Sequence, residues 1–384
     1  MELLTKELIK ELLAAEHSPS LSLYMPMKKH RSESPQNIIR FNNLLKEMEE
    51  SLRQKYSADE VREFINPIKD LSNDNTIWNK GFAGLAAFSA KGLFKVVGLN
   101  QAVEELVIVA DSFHTKPLRK LSQSLDHYHV LGLSLHDFIL FEGNRDSLTE
   151  IELSDDMPRT ITEALGDKIT DKNLTFGTYG GIGGGSTPMY HGHGDKNEET
   201  EKDSERYFRM VAQAVHDHYS KPSGWPLILV ALPEHHNLFN KVNKNPLLLS
   251  NTISIDPSSI SKDKLVDMAW DIMEPEYNQR LDSLIDRFEQ ASADGKGSDD
   301  YREVAKAAVE GRVDTLIIEA DRIIPIKITD YVSGETKKKD LTNPKVDDLL
   351  DDMGELVIKM GGEVMVMPKN KMPSDTGLAA IYRY

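Results

Sequence analysis

Between residues 177 and 194, eight of eighteen residues are glycine: 177, 180, 181, 183, 184, 185, 192 and 194. A stretch so poor in side chains cannot bury enough apolar surface to offset the entropy of ordering its backbone. It is therefore expected to be an exposed loop, with the folded parts of the chain built on either side of it. The 384 residues suffice for two or three domains at roughly 100 to 200 residues each. The lack of cysteine removes disulfides, thiolate zinc sites and Cys nucleophiles together. No apolar run approaches the ~20 residues of a membrane span. The opening residues Met1, Glu2, Lys6 and Glu7 show no signal-peptide pattern, so a soluble, cytoplasmic protein without a membrane partner is expected.

Ahead of the loop, Leu3, Leu4, Leu8, Ile9, Leu12 and Leu13 predict a helix that stops near Ser18-Pro19, and a strand is expected over 20–25. Ile38, Phe41, Leu44, Leu45, Met48 and Leu52 predict a long amphipathic helix. A hairpin over 84–97 and a strand over 105–110 complete a first α/β domain, 1–125. A second, 126–258, opens on strands at 129–133, 138–142 and 148–153 and carries the loop 177–194. It resumes with a helix capped by Thr200, a buried-type strand at 226–232 and a strand at 251–255. The third, 259–384, follows the turn cluster Asp256-Pro257-Ser258-Ser259. There a long helix over 265–288 leads to a linker at 293–298. Helix, glycine and apolar strand then recur twice, at 300–319 through Gly311 and at 346–367 through Gly361-Gly362, with a polar hairpin at 333–339 between them. That order is the pattern of an α/β sandwich.

Forty-six basic against sixty-two acidic side chains give a net charge of −16, which opposes nonspecific nucleic-acid binding. The imbalance is uneven. The first domain carries 17 basic and 16 acidic residues, the second 11 and 20, and the third 18 and 26. RNA contact is thus expected of the first domain, through Lys28, Lys29, Arg31 and Arg40 with His30, against the plainer reading of a solvated turn.

The glycine loop is not a nucleotide site. A P-loop needs Gly, four residues and then Gly-Lys-Ser/Thr, whereas Gly180 to Gly185 is followed by Ser186-Thr187 without a lysine. His191 and His193, two apart, would share one side of an extended segment and could join Asp195 around a metal; that is the weak metal candidate, and no cofactor is expected. His216 and His218 are placed on the outer face of their helix, and His235-His236 as caps of the preceding strand. Asp347, Asp348, Asp351 and Asp352 lie on a predicted helix face and are read as solvated. No G-x-S-x-G elbow is present.

Several stretches carry a family resemblance. Phe113-His114-Thr115 precedes the first boundary, Gly143-Asn144-Arg145 with Leu148 follows a hairpin, and His191-Gly192-His193-Gly194 leads out of the loop. Val304, Ala307, Glu310, Gly311, Val313, Leu316 and Ile317 span a helix-to-strand passage, and Gly377-Leu378-Ala379-Ala380-Ile381-Tyr382-Arg383-Tyr384 closes the sequence. In this order they resemble the class-1 peptide-chain release factors of archaea and eukaryotes and their pelota-type ribosome-rescue relatives, more particularly a bacterial branch of that family. The resemblance implies a three-domain α/β architecture with mixed sheets, packed helices and a C-terminal α/β sandwich. It also implies a ribosome-associated translation or rescue factor whose partners are the ribosome or a tRNA and, through the third domain, a translational GTPase. Its functional loop would comprise Gly180, Gly181, Gly183, Gly184, Gly185, His191, Gly192, His193, Gly194 and Asp195.

Two departures shape the functional expectation. Where the family has Gly-Gly-Gln, this sequence reads Gly194-Asp195-Lys196, with no glutamine between Gln123 and Gln213. Asp195 would moreover place a negative charge where RNA repels it. The family's stop-codon segment Asn-Ile-Lys-Ser finds Asn37-Ile38-Ile39-Arg40. Binding is therefore expected rather than hydrolysis of peptidyl-tRNA. The alternatives are a metal-dependent hydrolase or nuclease on the same scaffold, and a protein-interaction module.

Overall fold

The computed structural model describes residues 1–15, 18–28, 34–78, 80–123, 126–153, 157, 159–166, 193–326, 343–344 and 346–384. They form a mixed α/β protein with three separate sheets. The chain groups into two compact units, Met1–Gln123 with Asn278–Tyr384, and Ser124–Tyr277.

The first sheet follows directly from alternation. Strands β1 (Glu2–Leu3), β2 (Ser20–Pro26), β3 (Gly84–Ala90), β4 (Leu93–Leu99) and β5 (Leu106–Ala110) stand in the order β1-β4-β3-β2-β5, antiparallel except for the β1–β4 pair. Leu21, Leu23 and Met25 of β2 face one side, where α2 (Ser34–Arg53) and α3 (Ala58–Lys69) cover them, together with Trp78 of the short α4 (Asn75–Trp78). Tyr24, with Ala86 and Phe88 of β3, faces the other side, covered by α1 (Lys6–Ala14), Phe113 and Leu118 of α5 (Lys116–Ser122). Period-2 alternation thus feeds two helical layers from one sheet. Ser57 starts α3 with a full capping box to Glu60.

The second unit repeats the scheme. Strands β6 (Tyr128–Leu133), β7 (Phe138–Asn144), β8 (Ser147–Glu150) and β9 (Leu227–Val230) stand in the order β8-β7-β6-β9, with β6 and β9 parallel. Leu131, Leu133, Leu140, Leu227 and Leu229 face α7 (His193–Val215) and α9 (Pro233–Val242). Tyr128, Val130, Ile228 and Val230 face Leu265, Ala269 and Met273 of α10 (Lys262–Ala293). A short helix α6 (Ile161–Leu165) precedes α7. A π-helical turn, His216–Ser220, and α8 (Lys221–Ser223) follow it. The strand expected over 251–255 is reduced to one isolated bridge, Val230 to Ile253, with a second bridge, Leu227 to Leu248, ahead of it.

In the C-terminal stretch, β10 (Gly297–Ser298), β11 (Val313–Glu319), β12 (Glu363–Met367) and β13 (Leu378–Tyr382) stand in the order β10-β13-β11-β12. Helices α11 (Tyr301–Val309) and α12 (Leu349–Lys359) share one core with Leu316 and Ile318. Both helices stop as the sequence indicated. Gly311 and Gly361 adopt left-handed φ of 68° and 74°, and the next amides, Arg312 and Gly362, reach back to Ala307 and Val357 at 2.9 and 2.8 Å. The expected linker at 293–298 is instead a helix end followed by β10, which pairs with Ile381 and Ala380. The polar hairpin at 333–339 lies outside the described residues.

Candidate functional site

Gly180, Gly181, Gly183, Gly184, Gly185, His191 and Gly192 lie outside the described residues. The chain becomes describable at His193, Gly194 and Asp195, and these are already the first residues of α7. That corrects two expectations: the helix starts seven residues ahead of Thr200, and His193 and Asp195 are helical rather than extended. Asp195, Glu198, Glu199 and Glu201 crowd the start of the helix, where its dipole favours negative charge. Among the described residues no group of three His, Asp or Glu side chains could hold a metal ion.

Of the expected RNA contacts, Lys29 and Arg31 fall outside the described residues, and Lys28 is exposed. Asn37 is buried and grips the Lys28 backbone from both sides: its Oδ1 accepts from the Lys28 amide at 2.9 Å, and its Nδ2 donates to the Lys28 carbonyl at 3.2 Å. Arg40 pairs with Glu105 at 2.7 Å and donates to the Pro26 carbonyl at 3.3 Å. Ile39 between them is 64% exposed. In Asn37-Ile38-Ile39-Arg40, then, the polar ends bond the backbone at Lys28 and Pro26, at the end of β2, and an apolar side chain is presented to solvent.

The middle unit gathers histidines the sequence reading did not single out. His127 and His129 enter β6 beside Trp225, their rings 4.7 and 5.2 Å from the indole, and Tyr219 lies 6.3 Å from His129. Burial lowers the His129 imidazole to about 4, so it is neutral. Glu142 lies 3.3 Å from His127, which holds the carboxyl below its usual range, whereas burial raises Asp126. The turn Gly143-Asn144-Arg145 is set by Asn144, whose Oδ1 accepts from the Asp146 and Ser147 amides, both at 3.0 Å. Arg145 covers the Trp270 ring at 5.6 Å. His218 is exposed and His216 half-buried. His236 meets the Ala231 carbonyl at 2.8 Å just beyond β9, as expected of a strand cap, whereas His235 packs against the Phe208 ring at 5.7 Å.

The largest correction concerns the aspartates at the start of α12. Asp347, Asp348 and Asp351 are buried, not solvated. Their partners come from the Phe113-His114-Thr115 segment and α5, more than two hundred residues earlier. Asp351 accepts from the Thr115 amide at 3.2 Å and the Lys116 amide at 2.7 Å, and pairs with Arg119. Lys116 Nζ donates to Asp348 and to the Arg322 carbonyl, both at 2.5 Å. Asp348 also caps α12 and accepts from the Ile324 amide at 2.9 Å. Burial alone would raise the Asp351 carboxyl, but His114, Arg119, Lys116 and the Thr115 amide outweigh it and hold it low. Burial, with Asp352 and Asp351 nearby, raises Asp347 well above the usual range. Burial lowers His114, against the opposing pull of Asp351 and Asp348. A run of acids at a helix start reads equally well as solvated or as buried; the lysine and arginine that decide between the two are distant in the chain.

The terminal motif also has a structural task. Arg383 donates to the carbonyls of Gly311 and Met360, both at 3.1 Å, and so places its charge on the C-terminal ends of α11 and α12 together.

No curated protein matches the chain. Among solved structures, the archaeal translation termination factor aRF1 is 14% identical, covering 98% of this chain and 96% of its own, with a TM-score of 0.28. Dom34 of S. cerevisiae, a translation termination-like factor interacting with Hbs1, is 14% identical, covering 76% and 75%, with a TM-score of 0.39. Ribosome-bound archaeal Pelota, in a complex with ABCE1, is 11% identical, covering 76% and 72%, with a TM-score of 0.40. The model of bacterial archaeo-eukaryotic release factor family 3 matches residues 127–312, which hold the whole glycine segment and its exit helix, and across that stretch this chain is similar to that bacterial branch of the release-factor family.

Proposed function

We propose that this protein is a cytoplasmic translation factor of the release-factor type that acts on the ribosome by binding and does not hydrolyse peptidyl-tRNA. One observation carries the second half. The family match covers residues 127–312, and where the resemblance puts the hydrolytic tripeptide the chain reads Gly194-Asp195-Lys196, with no glutamine in the whole interval between Gln123 and Gln213. The start of α7 at His193 supports the same reading, since Gly194 and Asp195 belong to a helix. The first domain would face RNA through Lys28, Lys29, Arg31 and Arg40, the loop of Gly180 to Gly194 would enter a ribosomal or tRNA cavity, and the third domain would meet a translational GTPase, by analogy with Dom34 and Hbs1.

Co-sedimentation with ribosomes, with and without residues 180–194, tests location and loop together. The intact chain should travel with ribosomes from stalled or starved cells, and the deletion should weaken that association. An intact chain found in the ribosome-free fraction throughout would overturn the proposal. Release of peptide from a programmed ribosome would overturn the non-hydrolytic half alone.

A further inference from the structure

The two α/β layers of the Met1–Gln123 and Asn278–Tyr384 unit each close their own apolar core. Among the described residues, the core of β11, α11 and α12 contains nothing from residues 1–123, and Ile358 is the one residue of the C-terminal stretch in the cores of the first sheet. What joins the layers is the charged crossing of α5 and α12, with Lys116 and Arg119 on one side and Asp348 and Asp351 on the other, two charges of each sign. Gln123 adds a peptide-like pair at the sheet edge, its Nε2 donating to the Val366 carbonyl at 2.8 Å and its Oε1 accepting from the Val366 amide at 3.0 Å.

This crossing is built to fit but is left incompletely bonded. Gly354 supplies the space for Arg119, because a Cβ there would collide with the guanidinium. Yet Nε and Nη1 of Arg119, both ring nitrogens of His114 and the Thr115 hydroxyl are buried without a hydrogen-bond partner. Such groups oppose closure and would be hydrated on opening. Opening would expose these charges, Ile358 and the face of β12 against α5 while leaving the apolar core of each layer closed, the behaviour of a junction between bodies that move relative to each other rather than of a core cut in half.

We propose that the crossing of α5 and α12 is a latch: the two α/β layers of this unit part and rejoin as intact bodies, and Asp351 is the group that holds them shut. The device stands independently of the ribosomal reading above. Because the chain has no cysteine, Lys10→Cys and Lys306→Cys, both at exposed positions of α1 and α11, can carry a pair of spin labels on the full-length protein. In the otherwise unaltered chain, the Thr115 and Lys116 amides should exchange hydrogen at least tenfold faster than the β3 and β11 amides. Asp351→Asn should add a longer label-to-label distance and speed exchange at Thr115 and Lys116 by a further tenfold or more, with β3 and β11 still protected. The latch is refuted if Thr115 and Lys116 exchange at the rate of β3 and β11 in the unaltered chain. It is equally refuted if Asp351→Asn leaves distance and exchange unchanged, or if that variant loses both cores at once or fails to fold.

Discussion

Two buried polar clusters in this molecule solve the same problem in opposite ways. At the α5–α12 crossing, four charges sit as opposite pairs drawn from segments more than two hundred residues apart. Beside β6, His127 and His129 sit among the rings of Trp225 and Tyr219, with the carboxylate of Glu142 at the edge. A histidine is buried in each, and burial lowers both imidazoles, His129 to about 4. The surroundings differ: the first cluster depends on every partner being present, whereas the second depends on a single proton being absent.

That contrast sets the largest expected effect. Arg119→Ala leaves Asp351 buried without its guanidinium and should remove about 3 to 5 kcal/mol from the closed form of its unit, read as the drop in protection of the Thr115 and Lys116 amides. Replacing both members, Arg119→Met with Asp351→Leu, should recover most of the loss, since an apolar pair leaves no stranded charge. If the double change is no better than the single one, the crossing is not limited by unpaired charge. Next is acid sensitivity in the middle unit. The His129 imidazole lies at about 4 against an ordinary 6.5, so the unfolded chain takes up the proton first and stability is lost as pH falls between those values. The full swing is about 3 kcal/mol. His129→Phe should flatten that part of a denaturation-against-pH profile; an unchanged slope would show that His129 is not the group responsible.

Smaller effects test the frame around these clusters. A Cβ at Gly143 would come within 2.6 Å of Leu148 and 2.7 Å of the Tyr128 ring, so Gly143→Ala should destabilise the middle unit by about 1 to 3 kcal/mol in urea titration. Arg383→Ala should cost about 0.3 to 1 kcal/mol in the same experiment, because the helix ends it neutralises are solvent-exposed. A loss well above that range would mean Arg383 packs as well as caps.

Much of the fold could be read in the sequence because it is local. Alternation or a short apolar run marks β2, β3, β6 and β11. The helix stops at Gly311 and Gly361 follow from one residue type at one position, and Asn144 sets its turn within three residues. The sites proved harder to read. Asp351 finds its partners across more than two hundred residues, and nothing in its neighbours distinguishes a buried aspartate from an exposed one. Asn37, which stands where the family's stop-codon segment would begin, holds the backbone of Lys28, a contact that links the end of β2 to α2. The early start of α7 was obscured because Gly192 and Gly194 suggest a break, whereas the acids that follow favour a helix.

The neighbouring strands β6 and β9 are almost a hundred residues apart in the chain, yet they pair in parallel at one side of a single sheet. The glycine-rich interval lies between α6 and α7, and the Tyr207 hydroxyl of α7 donates at 3.1 Å to the carbonyl of Arg159, just ahead of α6, so the elements on either side of it are helices and not strands of that sheet. Lengthening or trimming such an insert changes its closure entropy by only about 0.6 kcal/mol per doubling. The middle unit is in this sense a socket for an exchangeable cassette: evolution, or an engineer, can rewrite the inserted text without redesigning the sheet that carries it.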